Sequence, residues 1–340
     1  MSEQTTSPGR YDAVIIGGGA AGTGAALTLA RARRRVLVID SGAPRNAPAG
    51  HVHNYLGREG TPPRELVADG RAEATGYGAE FTDATATSTT RSADGTIQVT
   101  LDDTTTITTA RLLITTGLVD DLPDFDGLAA RWGRDALHCP YCHGWEARDQ
   151  RIIVLGTGPL ATHQALLWRQ WSTRITLLHT TELTADDHAR LTARGITVRP
   201  GTAERVVTTD DHLSGIVVDG ETLACDAVVT APRFTVRADP FTALGLSTEP
   251  VERDGVVLGD RIPTDHTGAT RAPGVWAAGN VTDPMDTVIG SAAAGVRAAM
   301  AINADLVEAD TRTALTTEPF GAAQERDVSR LVLADRRHGL

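Results

Sequence analysis

Four residues in one short run, His138, Cys139, Cys142 and His143, are of types that do redox and proton chemistry together. Two cysteines with two residues between them can close a disulfide when a turn or a helix start brings their sulfurs together. The thiolate is the reactive form, and nearby positive charge or a helix N-terminus makes it easier to form. A histidine exchanges a proton near neutral pH, so it suits a reaction that must deprotonate thiols. His143 directly follows the second cysteine and is the first choice of general base. His138 is the second choice, and its plainer role is that of a loop residue bonded to backbone. Glu146 could orient His143 but reads as a solvated turn residue. The catalytic set is therefore Cys139, Cys142 and His143. A metal is not expected: four ligands in so short a run do not easily surround a tetrahedral ion, and structural zinc sites draw two pairs from separated segments.

The chain has 340 residues and 3 Cys, enough length for two domains. In a reducing cytosol a C-x-x-C pair is more often catalytic or metal-binding than structural. Cys225 lies in Leu223 to Thr230, which reads as a buried strand, so it is expected to be a small buried side chain. A formal net charge of -11 argues against broad nucleic-acid binding. The composition, 41% hydrophobic and 22% charged, is that of a soluble globular protein, and no apolar run is long enough to cross a membrane. Met1 to Arg10 lacks the basic start and apolar stretch of a signal peptide, which leaves the cytoplasm as the expected location.

The cysteine run must be held by something, and two glycine-rich turns indicate what. Tyr11 to Ile16 reads as a strand, followed by Gly17-Gly18-Gly19-Ala20-Ala21-Gly22, a helix to about Ala32, and a strand from Val36 to Ile39 that ends at Asp40. This is a βαβ unit with G-x-G-x-x-G at its first turn and an acid about twenty residues on. Gly17 permits the tight turn, Gly19 lets backbone approach a pyrophosphate, and Gly22 lets helix and strand pack closely. The helix N-terminus offers free N–H groups to phosphates, and Asp40 can accept hydrogen bonds from a ribose.

A second unit begins with a strand at Arg151 to Leu155, then Gly156-Thr157-Gly158-Pro159-Leu160-Ala161, a helix through Gln164 to Trp171, and a strand from Arg174 to Leu178. His179-Thr180-Thr181 follows, with no acid for a ribose 2′-hydroxyl and no Arg for a 2′-phosphate. Arg111 to Thr115, ending in Thr116-Gly117, and Thr270 to Val281, with an Ala-rich helix near Ser291, return to the first unit. The fold class is therefore α/β, with two Rossmann-like three-layer dinucleotide-binding domains, the second inserted into the first. The first domain takes residues 11–120 and 239–309, the insert 121–238, and 310–340 form a polar tail. Trp168 and Trp171 read as packing, Trp145 as a candidate wall of the substrate site, and His51 and His53 as loop packing.

Four motifs in this order, Gly17 to Gly22, Cys139 to Cys142, Gly156 to Ala161, and Trp276-Ala277-Ala278-Gly279-Asn280, resemble the low-molecular-weight thioredoxin reductase family of flavoproteins. The resemblance implies FAD as cofactor, a homodimer, and a cysteine pair at the flavin with Cys142 proximal. It places Gly17, Gly19, Ala21, Gly22, Asp40, Ser41, Arg45, Asn54, Thr116, Gly279 and Asn280 at the cofactor. The chain departs from the reductases at His179-Thr180-Thr181, where they carry His-Arg-Arg, and at Val288-Ile289, where they carry Arg-Gln. Asn280 stands where they usually have Asp, and His143 where they keep an acid. With Gly42 to Asn46 and Leu56-Gly57-Arg58, this pattern is similar to the gliotoxin- and holomycin-type dithiol oxidase branch. That branch implies a small dithiol substrate, such as a dithiolopyrrolone, closed to a disulfide with electrons passed to molecular oxygen and hydrogen peroxide as product. The alternatives are an NAD(P)H-dependent disulfide reductase and, more remotely, a flavin redox sensor or a zinc-binding module.

Overall fold

The computed structural model describes residues 10–158, 160–253, 255–316, 321, 325–326 and 328–330. The chain opens with β1 (Arg10–Ile16), α1 (Ala20–Arg31) and β2 (Val36–Asp40). Then come α2 (Pro63–Gly76), β3 (Glu80–Asp83) and the meander β4 (Ala86–Arg91), β5 (Ile97–Leu101) and β6 (Thr106–Ile114). These strands form one sheet in the order β3-β2-β1-β6-β5-β4. Ala13, Val14 and Ile15 are fully buried in succession, as expected of a parallel strand covered on both faces. Val14, Ile16, Leu37 and Ile39 pack into one core, and Ala13, Ile15, Val36 and Val38 into the other, against Ala25, Ala26 and Leu29 of α1.

β7 (Leu118–Asp121) leaves this sheet, and α3 (Leu128–Arg131), β8 (Ala136–Leu137) and α4 (Pro140–His143) follow. The second unit is β9 (Ile152–Gly156), α5 (Ala161–Trp168), β10 (Ile175–His179), α6 (Ala185–Ala193) and β11 (Thr197–Pro200). Next is the antiparallel set β12 (Ala203–Thr209), β13 (His212–Val218) and β14 (Glu221–Ala224), then β15 (Ala227–Val229). The parallel sheet runs β11-β10-β9-β15-β8. The chain returns through β16 (Arg233–Val236), β17 (Glu249–Arg253) and β18 (Val256–Arg261) to β19 (Val275–Ala277) and α7 (Val288–Thr316). β19 lies beside β6, so a strand from near the end of the chain completes the first sheet. β16 pairs antiparallel with β7, so the outgoing and returning chain run side by side.

Three sequence expectations change. The second helix covers Ala161–Trp168, and the stretch to Trp171 tightens into turns in which Gln170 and Trp171 donate to the carbonyls of Leu167 and Trp168. Cys225 lies between strands, because β14 pairs with β13 while β15 pairs with β9 and the chain switches sheets there. It is fully buried all the same, and burial pushes its thiol up to about 12. The helix α7 continues past Ala309, where a polar tail was expected, to Thr316. Arg34 ties its far half down by donating to Asn303 Oδ1 and Asp310 Oδ2, each at 2.8 Å. The remainder of 310–340 falls largely outside the described residues.

Candidate active site

The first glycine turn is shaped by contacts that only glycine allows. Gly17 has φ 106°, and a Cβ there would lie 2.3 Å from the Thr115 carbonyl oxygen. A Cβ at Gly22 would lie 1.9 Å from the Gly17 carbonyl oxygen. At Gly19 nothing lies within 4 Å, and the residue borders a cavity of about 470 Å³. That volume is in the range of small-molecule pockets, roughly 300–1,000 Å³. Gly17, Gly19, Ala21, Asp40, Ser41, Arg45, Asn54, Thr116, Gly279 and Asn280 all line this cavity. Gly22 does not; it sits behind the wall and sets the approach of α1 to β1. Cys139, Cys142, His138 and His143 line the same cavity. The cradle and the cysteine pair, far apart in sequence, therefore share one space.

The segment after β2 joins the two. Arg45 donates to both carboxylate oxygens of Asp120 at 2.7 and 2.6 Å and reaches Asn280 Oδ1 at 3.5 Å. Its guanidinium lies 5.4 Å from the centre of the Phe234 ring. Arg45 thus clamps the pair β7 and β16, a role its sequence gave no sign of. Asn280 donates to the backbone carbonyls of Asp283 and Asp286, both at 3.0 Å, which orients its side-chain oxygen towards Arg45. Asn54 has φ 59° and donates to the Tyr141 carbonyl at 2.5 Å, tying the first unit to the cysteine helix. Asp286 also borders the cavity, and burial followed by the charge of Asp283 pushes its carboxyl up. Asp120, Phe234 and Asp286 carry no motif signal; only their tertiary partners single them out.

Cys139 is the N-cap residue of α4, with Pro140 at the first helical position, and Cys142 lies one turn on. Both are free thiols. The Cys142 thiol donates to the Cys139 sulfur, and this bond, backed by the backbone N–H groups of Cys142 and Tyr141 and the charge of Arg45, lowers Cys139 to about 7. The same bond and burial push Cys142 well up. The reduced pair therefore holds its first negative charge on Cys139. Alkylation of reduced Cys139 by iodoacetamide is expected to rise with pH to half its maximum near 7, because only the thiolate reacts. A midpoint near 8.5, the value of an ordinary cysteine, counts against this thiol pairing.

His143 has both ring nitrogens buried and without a hydrogen-bond partner. Burial lowers its affinity for a proton, and the charge of Glu146 works in the opposite direction. Glu146 itself lies 3.5 Å from His53 Nε2, so it makes no hydrogen bond that orients His143. The His138 Nδ1 is 3.0 Å from the Thr230 carbonyl oxygen and its ring meets Phe234 edge-on. That bond fixes one His138 nitrogen, while His143 keeps both open. Trp145 is exposed under Arg148 and is absent from the cavity wall, in contrast to its expected position. Trp168 is buried in the core of the second unit, and Trp171 packs edge-on against Tyr141. Contrary to simple loop packing, His51 and His53 both border the cavity. Among the described residues, no group of three or more His, Cys, Asp or Glu is placed to hold a metal ion.

In the second glycine turn, a Cβ at Gly156 would lie 3.0 Å from the Leu178 carbonyl oxygen, while one at Gly158 would meet nothing within 4 Å. At the end of β10 the His179 Nδ1 is 2.7 Å from the Thr181 carbonyl oxygen, so the ring is engaged with its own loop. Among the described helices, none is long and apolar enough to cross a membrane.

A family model described as pyridine nucleotide-disulphide oxidoreductase matches residues 11–299. "Thioredoxin reductase sirT" of Leptosphaeria maculans is 29% identical over 326 residues, covering 90% of this chain and 97% of the relative. The solved structure of HlmI superposes with a TM-score of 0.84 at 43% identity, covering 97% of this chain and 100% of that one. An oxidoreductase from Agrobacterium tumefaciens superposes with a TM-score of 0.81 at 33% identity, covering 88% of this chain and 99% of that one. Members of the matched family are typically FAD flavoproteins with two dinucleotide-binding folds. The glycine cradle, the paired cysteines at one cavity and the match over most of the chain agree: the protein belongs to the pyridine nucleotide-disulphide oxidoreductase family and is thioredoxin reductase-like.

Proposed function

We propose that the chain is an FAD-dependent dithiol oxidase that closes an intramolecular disulfide in a small sulfur-containing substrate. The observation that carries this reading is the single cavity in which Cys139, Cys142 and the unpartnered ring of His143 meet the glycine cradle. The residues fit a flavin dinucleotide: Gly19 leaves open space beside the N-terminus of α1, and Asp40 stands at the cavity edge to accept from a ribose. Gly17, Ala21, Ser41, Arg45, Asn54, Thr116, Gly279 and Asn280 would complete its wall, with Gly22 setting the turn. FAD, when bound, supplies a two-electron acceptor that dioxygen reoxidises with release of hydrogen peroxide.

The protein's own part follows from its thiols. In the oxidised pair, a substrate thiolate attacks the Cys139 sulfur, the Cys139–Cys142 bond breaks, and Cys142 leaves with the electron pair. A ring nitrogen of His143 takes the proton of the second substrate thiol. That sulfur attacks the substrate sulfur of the mixed disulfide, the substrate ring closes, and Cys139 leaves. A better-stabilised thiolate leaves faster, so the backbone N–H groups of Cys142 and Tyr141 and the charge of Arg45, which all favour the Cys139 thiolate, assist this second step. The substrate loses two electrons and two protons, and the cysteine pair gains the electrons. The neutral state that burial favours in His143 keeps it ready to accept a proton.

A second reading, an NAD(P)H-dependent disulfide reductase, is favoured by Gly156, Gly158 and Ala161. The absence of an Arg at His179-Thr180-Thr181 opposes it, because a 2′-phosphate needs cationic partners. Anaerobic mixing of the yellow protein with NADPH, NADH or a small dithiol separates the two. Bleaching of the flavin by dithiol and not by either nicotinamide is expected. Fast bleaching by NADPH with none by dithiol sinks the oxidase reading. The protein would act as a homodimer: Ile289, Val296, Met300 and Val307 are exposed at helical spacing along one face of α7, an apolar stripe suited to a second copy. A sedimentation mass equal to one chain overturns that assembly.

A further inference from the structure

Oxidation of a thiol pair releases two protons with its two electrons, and reduction of dioxygen to hydrogen peroxide takes up two protons. A buried base between these events needs a route to solvent. His143 has none through the protein, since neither ring nitrogen has a partner. His53 is placed differently. Its Nδ1 is 2.6 Å from Glu59 Oε1, its Nε2 is 3.5 Å from Glu146 Oε1, and its side chain is only 18% exposed. Both carboxylates reach water, with side chains 64% and 45% exposed. The other Glu59 oxygen accepts from the Asn54 N–H at 2.8 Å, which fixes the acid in place. His53 and the Asn54 N–H hold the Glu59 carboxyl below the usual carboxylate range.

The two histidines border one cavity, and a proton on His53 opposes a proton on His143. The titratable groups facing His53 are Glu59 and His51 from its own segment, and Glu146 and His143 from the cysteine helix and the turn after it. His53 is therefore engaged with water-exposed acids, whereas the His143 ring on the same cavity has no hydrogen-bond partner.

We propose that His53, bracketed by Glu59 and Glu146, is the port through which the buried base His143 exchanges protons with solvent. The proposal rests on the reading of His143 as the base. A proton leaves a ring nitrogen of His143, crosses through cavity water to His53 Nε2, and the proton on Nδ1 passes to Glu59 and then to bulk water. No electron moves in this step, and the reverse transfer restores the proton. His53 acts through His143 and touches no reacting sulfur, so it is a positioning residue.

The test uses the flavin-loaded protein with dithiothreitol as the probe, following aerobic peroxide formation in weak buffer with and without imidazole. For His53→Ala, kcat is expected to fall about tenfold with KM within about twofold, less than the roughly 100-fold or more of a group that itself transfers the proton at the reacting atom. Added imidazole is expected to restore kcat in proportion to its concentration while leaving the wild type unchanged. A merely structural role would not answer to a soluble base. If His53→Ala fails to load flavin, Glu59→Gln, which keeps an oxygen for the Asn54 N–H, is expected to show a smaller loss with the same rescue. Wild-type kcat in the variant that loads flavin, or a loss that imidazole leaves untouched, overturns the port. His143→Gln is expected to lose turnover with or without imidazole. If it turns over like the wild type, the base reading fails instead. A wild type whose flavin dithiothreitol does not bleach overturns the dithiol reading beneath both.

Discussion

Gly22→Ala protein is expected to purify colourless. The added Cβ would lie 1.9 Å from the Gly17 carbonyl oxygen and 3.0 Å from Thr115 Oγ1. The nearer atom is backbone, so no side chain can swing away. Gly17 itself is pinned, with its φ of 106° and its N–H bonded to the Ile39 carbonyl at 2.8 Å. Relief must come from shifting α1 off the sheet, which moves the N-terminal N–H groups that would meet the phosphates. Overpacking of this kind costs about 1–3 kcal/mol and more where backbone must give. At 3 kcal/mol the affinity for flavin falls by about a hundredfold. Gly19→Ala provides the contrast, because its Cβ meets nothing within 4 Å in the protein. It is expected to unfold at the wild-type temperature without flavin yet to bind flavin poorly. Flavin absorbance of the purified proteins and thermal unfolding of their flavin-free forms check both. A yellow Gly22→Ala protein with normal stability refutes this account of the turn.

Cys142→Ser protein, by contrast, is expected to remain yellow and to lose dithiol turnover by at least about a thousandfold, the scale on which removal of a reacting group acts. The Cys142 thiol is engaged with Cys139 and not with the glycine cradle. The serine hydroxyl can still donate to the Cys139 sulfur, so Cys139 stays reactive to alkylation near neutral pH. What is lost is the internal disulfide that a substrate thiolate must attack. Peroxide formation in the presence of a dithiol checks the outcome. Its persistence in Cys142→Ser would show that the pair does not carry the electrons.

The glycine turn was legible because its constraints are local. A tight turn, a close backbone approach and a helix start must follow one another along the chain, so Gly17, Gly19 and Gly22 with Asp40 appear at fixed spacing. The cysteine pair was legible for the same reason, since one helical turn brings Cys139 and Cys142 together. Strand ends shifted by about a residue, and α5 lost its last turn to tighter bonding. The longer errors were at Cys225, where a change of sheet broke an apolar run, and past Ala309, where pairing with Arg34 accompanies a helix of polar composition. Trp145 was misplaced because proximity in sequence to the cysteines says nothing of which side of the turn a ring takes.

The sequence by itself determined the two glycine-rich turns, the closely spaced cysteines and the lack of an Arg at the end of β10, because each is a property of neighbouring residues. Only the tertiary structure decided that the first cradle and the cysteine pair open on one cavity. It decided that Arg45 holds Asp120, that Glu146 meets His53 rather than bonding His143, and that His143 keeps two buried nitrogens free. These facts depend on groups separated by tens to hundreds of residues, whose contact is set by how sheets and loops pack and which no spacing along the chain encodes.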